Sequence, residues 1–475
     1  MSDIPLIYII NIILTIVIVF YLRREPAVSI AWVMFFILFP NIAPIFFIIF
    51  GLGVKSYTKH IYKGKMLSDS EIANALFSQT AFLNMPETRD IESLDLVRYF
   101  NNYNSLLTDN NDAEIICDAW EKYEKLLYDI ENAKESINML YFIFRKDRIG
   151  ERIMNALVKK ANEGVTVRFL YDSFGCLLTP KSFLTALNNT KSGRAVSFYP
   201  VNIFSLTKIN HRNHRKIVVI DNEIAYLGGM NVGNEYMGIS KTGKWRDTHL
   251  RITGDAVQLI YSFFCFDWDF SAKDNITKEL EDIKFSNKDG VKYESLPMQI
   301  VSSGPDSPQE EIKCGIIKML FSARKYAYIQ SPYFIPDAAF RNAMVTAAES
   351  GVDVRLMIPG VPDKKYVYYS SFSYLEEMLR AGVKVYLYNG FIHSKTCVID
   401  DKISTIGTTN IDIRSFQLHF ELNAFFYQEK FAKKCKQIFE EDIFESKHLT
   451  LDEYKDRSFF FKVKEGFFRL FSAIM

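Results

Sequence analysis

The chain has 475 residues, with 57 Lys+Arg against 56 Asp+Glu and a formal net charge of +1. That length exceeds one small core and implies two or three domains, and the even charge argues against a general nucleic-acid binder, which carries a basic excess. Aromatic content of 15%, with 40 Phe, fits a protein that meets lipid, although a Phe-rich core has the same composition.

Residues 4–22 carry no charge and are long enough to cross the hydrocarbon core of a bilayer. Arg23 and Arg24 interrupt, and a second apolar stretch runs from Ala27 to Val54. Its Pro40 and Pro44 kink a membrane helix without forbidding one. A cleaved signal peptide does not fit. Only Asp3 precedes the first run, the run is too long, and no small-residue cleavage site follows. The expectation is a two-helix transmembrane hairpin over 1–60. Lys55, Lys59, Lys63 and Lys65 outnumber Arg23 and Arg24, which puts the large C-terminal part in the cytoplasm. Residues 61–115 read as a connector, with an Asn/Asp-rich tract at Asn101–Asp112.

From there the chain repeats itself, as 116–290 and 291–475. In the first half a predicted helix, Trp120–Lys134, leads into an apolar strand, Ile137–Phe144. A second helix ends at Glu163-Gly164 before strand Val165–Leu170. In the second half, helix Glu311–Arg324 precedes strand Tyr326–Gln330, and a helix ending at Ser350-Gly351 precedes strand Val352–Met357. Strands alternating with helices in this order indicate an α/β fold of two pseudo-symmetric halves, each with a mixed β-sheet flanked by helices.

Each half carries one copy of H-x-K-x-x-x-x-D: His214, Lys216 and Asp221, then His393, Lys395 and Asp400. Gly228 and Asn231 follow the first copy at the offsets at which Gly407 and Asn410 follow the second. A motif present twice suggests two halves that contribute to one composite site. Lys216–Ile220 and Lys395–Ile399 are strand-like, and each ends at an acidic turn, Asp221-Asn222 or Asp400-Asp401, so each motif sits on a hairpin. Side chains two apart on a strand share a face, which points each His and Lys into one space. The aspartates complete the candidate catalytic set but lie on the opposite parity. They are better placed to fix the hairpin, and a structural role is assigned to them.

Two imidazoles and two ammonium groups around one volume suit a phosphate whose charge redistributes during transfer. One histidine can attack phosphorus while the other protonates the leaving alkoxide and later deprotonates the acceptor. Asn231 and Asn410 add neutral donors. A nucleophilic histidine needs its second nitrogen held, and Asp247 and Glu421 are the candidates. No metal motif or C-x-x-C pair accompanies Cys117, Cys176, Cys265, Cys314, Cys397 and Cys435, which read as reduced thiols, and no cofactor is expected. His60, His419 and His448 show no partner pattern and read as ordinary packing residues, and His249 reads as packing beside Asp247.

The duplicated motif resembles the phospholipase D superfamily. Further stretches are similar to bacterial cardiolipin synthases: Arg212–Lys216, Gly228–Tyr236, Trp245–His249, Ser303–Asp306, Ser331–Asp337 and the N-terminal hairpin. The resemblance implies condensation of two phosphatidylglycerols to cardiolipin and glycerol through a phosphohistidine, with His214 favoured as the nucleophile. His211, where that family more often has an apolar or aromatic residue, and Thr408, where many superfamily members have Ser, are small departures. The implied partners are phosphatidylglycerol and anionic membrane lipid, with no nucleic acid. Competing readings are a phospholipase D that uses water, a transferase with another alcohol acceptor, a nuclease and an inactive scaffold. Oligomeric state is not legible.

The last segment, 459–475, carries Phe460, Val463, Phe467, Leu470, Phe471 and Ile474 at three- and four-residue steps, with Lys462, Glu465 and Arg469 toward the other side. It is expected to form an amphipathic helix that either lies on a membrane or closes the core of the second half.

Overall fold

The computed structural model describes residues 6–22, 26–51, 71–85, 94–200, 210–239, 243–282, 285, 295–307 and 309–472. Lys55, Lys59, Lys63 and Lys65, on which the orientation rests, fall outside them, as does His60.

Seven strands build the first half: β1 Leu107–Ile116, β2 Ser136–Tyr141, β3 Thr166–Asp172, β4 Gly193–Phe198, β5 Ile217–Ile220, β6 Ile224–Gly228 and β7 His249–Gly254. Seven equivalents build the second: β8 Ser295–Ser303, β9 Tyr326–Gln330, β10 Asp353–Pro359, β11 Lys384–Tyr388, β12 Thr396–Ile399, β13 Ile403–Gly407 and β14 His419–Phe426. The edge strand β15, Ser446–Leu449, is added to them. They form one mixed sheet in the order β15-β11-β10-β9-β12-β13-β14-β8-β1-β7-β6-β5-β2-β3-β4. Read outward from the β1–β8 pair, the two directions give the same succession. The antiparallel β1–β8 pairing, with Leu107 opposite Gln299, therefore straddles the pseudo-twofold axis, which crosses the strands.

The elements follow from local chemistry. Helix α1, Ala119–Asn132, starts where the Asp118 carboxylate accepts from the Glu121 N–H, and α2, Arg148–Glu163, where Asp147 accepts from Gly150. Ile149, Ile153, Leu157 and Ala161 recur at helical spacing and are buried on β2 and β3. Gly164 ends α2 at φ 105°, a conformation an L side chain adopts at a cost. In the second half α3, Glu311–Ser322, and α4, Ala338–Glu349, repeat the arrangement. β1 covers much of the polar tract Asn101–Asp112, and no alternation in that sequence announces a strand. Its Asn111 side chain instead donates to Leu296 C=O at 3.1 Å and accepts from Ala256 N–H at 2.7 Å.

The N-terminal region departs from the expected pair of continuous spans. Among the described residues no helix is long and apolar enough to cross a membrane. The first helical run, Leu6–Ile16 continued by a wider turn to Leu22, covers about 26 Å at 1.5 Å per residue, against a hydrocarbon core of about 30 Å. The second stops at Leu38, turns through Pro40–Ile42, and restarts at Ala43 with Pro44 in its first turn. The proline-bearing turn is the physical cause of the break. The Asn11 amide donates to Pro40 C=O at 3.1 Å, tying the first helix to that turn.

Candidate active site

Both motifs lie on hairpins, β5–β6 and β12–β13. The turns carry positive φ at two successive residues, Asp221 (51°) and Asn222 (55°), and Asp400 (53°) and Asp401 (58°). Asp and Asn tolerate this conformation better than other non-glycine residues. The Asp221 carboxylate accepts three backbone N–H groups, from Lys134, Glu135 and Ser136, each at 2.8 Å. Asp400 accepts from Arg324, Lys325 and Tyr326 at 2.6, 2.9 and 2.8 Å. Each aspartate thus pins its hairpin to the start of the neighbouring strand, at the end away from the histidines. Asp400→Ala is expected to lower unfolding free energy by about 3 kcal/mol, since it strips a charged acceptor from three N–H groups. Denaturant titration checks this. Gly228 and Gly407 close the return strands where space is short. A Cβ would stand 2.6 Å from His249 Cα at the first and 2.1 Å from Asn423 Oδ1 at the second.

The two halves hold each other's histidines. His214 N–H donates to Phe420 C=O at 2.9 Å, and His393 N–H to Arg246 C=O at 2.6 Å. His214 Nδ1 lies 3.0 and 3.1 Å from the Glu421 carboxylate oxygens. His393 Nδ1 lies 2.6 Å from Asp247 Oδ2. The carboxylate that follows each motif therefore serves the histidine of the other half. A carboxylate on Nδ1 fixes the Nδ1–H tautomer and leaves the Nε2 lone pair for chemistry. The Thr408 hydroxyl donates to Glu421 Oε2 at 2.5 Å, a bond serine could also make. Lys216 Nζ donates to His214 C=O at 2.5 Å, and Lys395 Nζ to His393 C=O. Asn231 is oriented at both ends: its Oδ1 accepts from Ile143 N–H at 3.0 Å and its Nδ2 donates to Tyr236 OH at 2.6 Å. Asn410 is buried beside Asp412, to which its side chain hydrogen-bonds.

The site is a buried, cation-rich volume. Burial pushes the His214 imidazolium well below its ordinary range, and Lys216, His419, Lys395 and His393 push the same way. Burial takes His393 down to about 4, aided by Lys395 and opposed by Asp247. Burial also raises the Glu421 carboxyl, while Lys216 and the Thr408 hydroxyl that donates to it pull it back toward the carboxylate. The resting histidines are therefore neutral, the form a nucleophile needs. Lys216 is lowered to about 7 and Lys395 to about 8, chiefly by burial. An ammonium loses its charge as pH rises through its pKa, so the empty site is most cationic below pH 7 and loses charge above 8. KM for an anionic substrate is expected to rise over this interval by up to about tenfold per pH unit. The effect on kcat is smaller, because bound phosphate restores both ammonium groups. Initial rates from about pH 6 to 9 check the split.

His419 is the site neighbour that sequence reasoning passed over. Its ring centroid is 5.5 Å from that of His214, and its Nδ1 is 3.9 Å from Glu421 Oε1. The available signal was its place two residues before Glu421, on the same face of β14. His214, His419 and Glu421 present one potential metal-ligand atom each within 4.8 Å of one another. The Lys216 and Lys395 ammonium groups act on the same volume and favour an anion over a metal cation there. His211 is buried and within electrostatic reach of His419. His249 is fully buried, accepting from Met230 N–H at 3.3 Å. Asp247 instead spends its carboxylate on His393. All six cysteines are free.

Two half-sheets sharing one site built from paired His-Lys motifs define a phospholipase D-like enzyme. The family model described as "Cardiolipin synthase, PLD-like domain" matches residues 126–242 and 316–443. The chain belongs to the cardiolipin synthase family. It is 39% identical over 480 residues to the major cardiolipin synthase ClsA of Bacillus subtilis strain 168, covering 99% of this chain and 98% of that one. It is 41% identical over 478 residues to a cardiolipin synthase of Listeria welshimeri, covering 98% of each. The solved phosphatidylserine synthase of Haemophilus influenzae Rd KW20 shares the fold, with TM-score 0.61 at 18% identity over 80% of this chain and 97% of that one.

Proposed function

We propose that this enzyme is membrane-bound and condenses two phosphatidylglycerols to cardiolipin and glycerol through a phosphohistidine. The observation that carries the mechanism is the crossed pairing of His214 with Glu421 and His393 with Asp247 beside two buried lysines. The anionic phosphate of the first lipid, together with Asp247, lets His393 take up a proton on binding. His214 Nε2 then attacks phosphorus, the P–O bond to the terminal glycerol breaks, and the His393 imidazolium gives that glycerol its proton. The second phosphatidylglycerol then loses its hydroxyl proton to His393, and its oxygen displaces His214 from phosphorus. Lys216 and Lys395 neutralise the phosphoryl oxygens in both steps.

The division of labour follows the electrostatics. Asp247 supports positive charge on His393, as an acid-base group needs. The groups named around His214 hold it neutral. Asn231 and Asn410 are assigned to the substrate phosphate as neutral donors. The apolar N-terminal helices are assigned to the bilayer, where Leu6, Phe20, Tyr21, Ile37 and Leu38, all strongly exposed, would face lipid. The catalytic unit is placed in the cytoplasm, on the side where anionic lipid is met.

The test is incubation of purified protein with phosphatidylglycerol alone in excess EDTA, followed by lipid mass analysis. Cardiolipin and glycerol in equal amounts are expected, at the rate found without chelator. Phosphatidic acid as the main product would make the enzyme a phospholipase. Activity lost in EDTA and restored by one metal would refute the charge-stabilisation scheme.

A further inference from the structure

The carboxy-terminal helix Phe459–Arg469 is amphipathic, and it is docked the wrong way round for a core element. Its inward side consists of Phe461, Glu465, Phe468 and Ser472, at four- and three-residue steps. The Phe461 ring meets Tyr369 at 4.9 Å and Phe372 at 5.5 Å, and Phe468 stacks on Tyr369 at 5.9 Å. Glu465 pairs with Arg457 at 2.7 Å, and Ser472 hydrogen-bonds Ser370 at 3.1 Å. The apolar stripe faces away. Phe460 is 76% and Leu470 78% exposed, and Val463 and Phe467 are more than half exposed. Ile474 lies outside the described residues.

We infer that this outward stripe is a second membrane-docking surface, whose occupant is an anionic phospholipid bilayer and which seats the catalytic unit on the lipid. Charge selects the occupant. Lys462, Lys464 and Arg469 are all exposed beside the stripe, whereas the helix's one carboxylate, Glu465, is turned inward onto Arg457. A twofold interface between two copies of this chain would bring these cations against each other. A bilayer of anionic headgroups accepts both the apolar residues and the charges around them.

Position supports the same reading. Phe468 lies 6.4 Å from Tyr366 by ring centroid. Tyr366 is within electrostatic reach of Arg414, and Arg414 of His419, which adjoins His214. A second exposed apolar turn, Phe174, Leu177 and Leu178, flanks the site from the first half. There Phe174 lies 5.3 Å from the Arg212 guanidinium, and Phe142, against which Gly175 packs, lies 5.0 Å from the His214 ring.

This inference rests on the proposed lipid substrate, and its test is arranged so that the two fail separately. The full chain is reconstituted into vesicles of phosphatidylcholine, with or without phosphatidylglycerol, as parent, as Leu470→Trp and as Phe467→Asp/Leu470→Asp. The added indole is expected to shift to the blue and be quenched by brominated lipid when phosphatidylglycerol is present. The double aspartate variant is expected to lose about tenfold or more of its transfer rate on vesicles, while matching the parent on phosphatidylglycerol dispersed in detergent. An indole that ignores anionic vesicles, together with an aspartate variant as active on vesicles as the parent, overturns the docking surface. So does an indole whose shift follows protein density at constant lipid, which assigns the stripe to a second copy. A parent that makes no cardiolipin even in detergent refutes the substrate, while the fluorescence readout still decides the docking.

Discussion

His214→Ala is expected to reduce cardiolipin formation by about 10⁴-fold or more, because the group that forms the covalent intermediate is removed outright. The fold should be unchanged: the hairpin is held by Asp221 and by the backbone bond to Phe420, not by the imidazole. His393→Ala is expected to be comparably inactive, since one group serves both half-reactions. The two losses should not add in the double variant, because the histidines act as a unit. Product formation from radiolabelled phosphatidylglycerol, with circular dichroism as the folding control, measures each. Activity within tenfold of the parent for either single variant would remove that histidine from the mechanism.

Glu421→Gln and Asp247→Asn are expected to cost about 10²- to 10⁴-fold in kcat, with smaller effects on KM. Each leaves its histidine without the acceptor that sets its tautomer. The crossing makes the outcome specific. Asp247→Asn, a change in the first half, should impair the histidine of the second half, slowing proton transfer to the leaving glycerol and from the incoming hydroxyl. Glu421→Gln should slow formation of the covalent adduct at His214. Rapid-quench kinetics separates the half-reactions. If Glu421→Gln instead left adduct formation intact and slowed only its breakdown, the pairing would hold structurally but the roles of the histidines would be exchanged.

Much of the architecture could be read in advance, because the signals were local. The strand Ile217–Ile220 is a continuous apolar run and Tyr326–Gln330 is apolar up to Ile329, Gly164 and Gly351 mark helix ends, and the His-Lys parity on each hairpin follows from the two-residue strand repeat. The structural use of Asp221 and Asp400 followed from the same parity. What stayed hidden depends on tertiary contact. The sequence presents Glu421 and Asp247 but not the crossing by which each holds the other half's histidine, since that is set by how β14 and the Trp245–Arg246 strand meet the opposite half. β1 was invisible because its polar side chains are satisfied by neighbours distant in the chain. His419 was passed over because it was judged alone and not with Glu421. In the N-terminal region hydropathy measured the apolar stretch but not its break at Pro40–Ile42. The carboxy-terminal stripe was legible as a pattern, yet only the docking of Phe461 and Phe468 reveals which side faces out.

The central claim is one composite site that passes through a phosphohistidine at His214. It is tested most directly by quenching the parent enzyme in denaturant at neutral to alkaline pH during turnover of phosphatidylglycerol and mapping peptides by mass. A phosphatidyl adduct on the peptide carrying His214, rising and decaying with cardiolipin formation, is the expected result. An adduct confined to His393, or cardiolipin forming at full rate with both histidine peptides unmodified throughout, would contradict it.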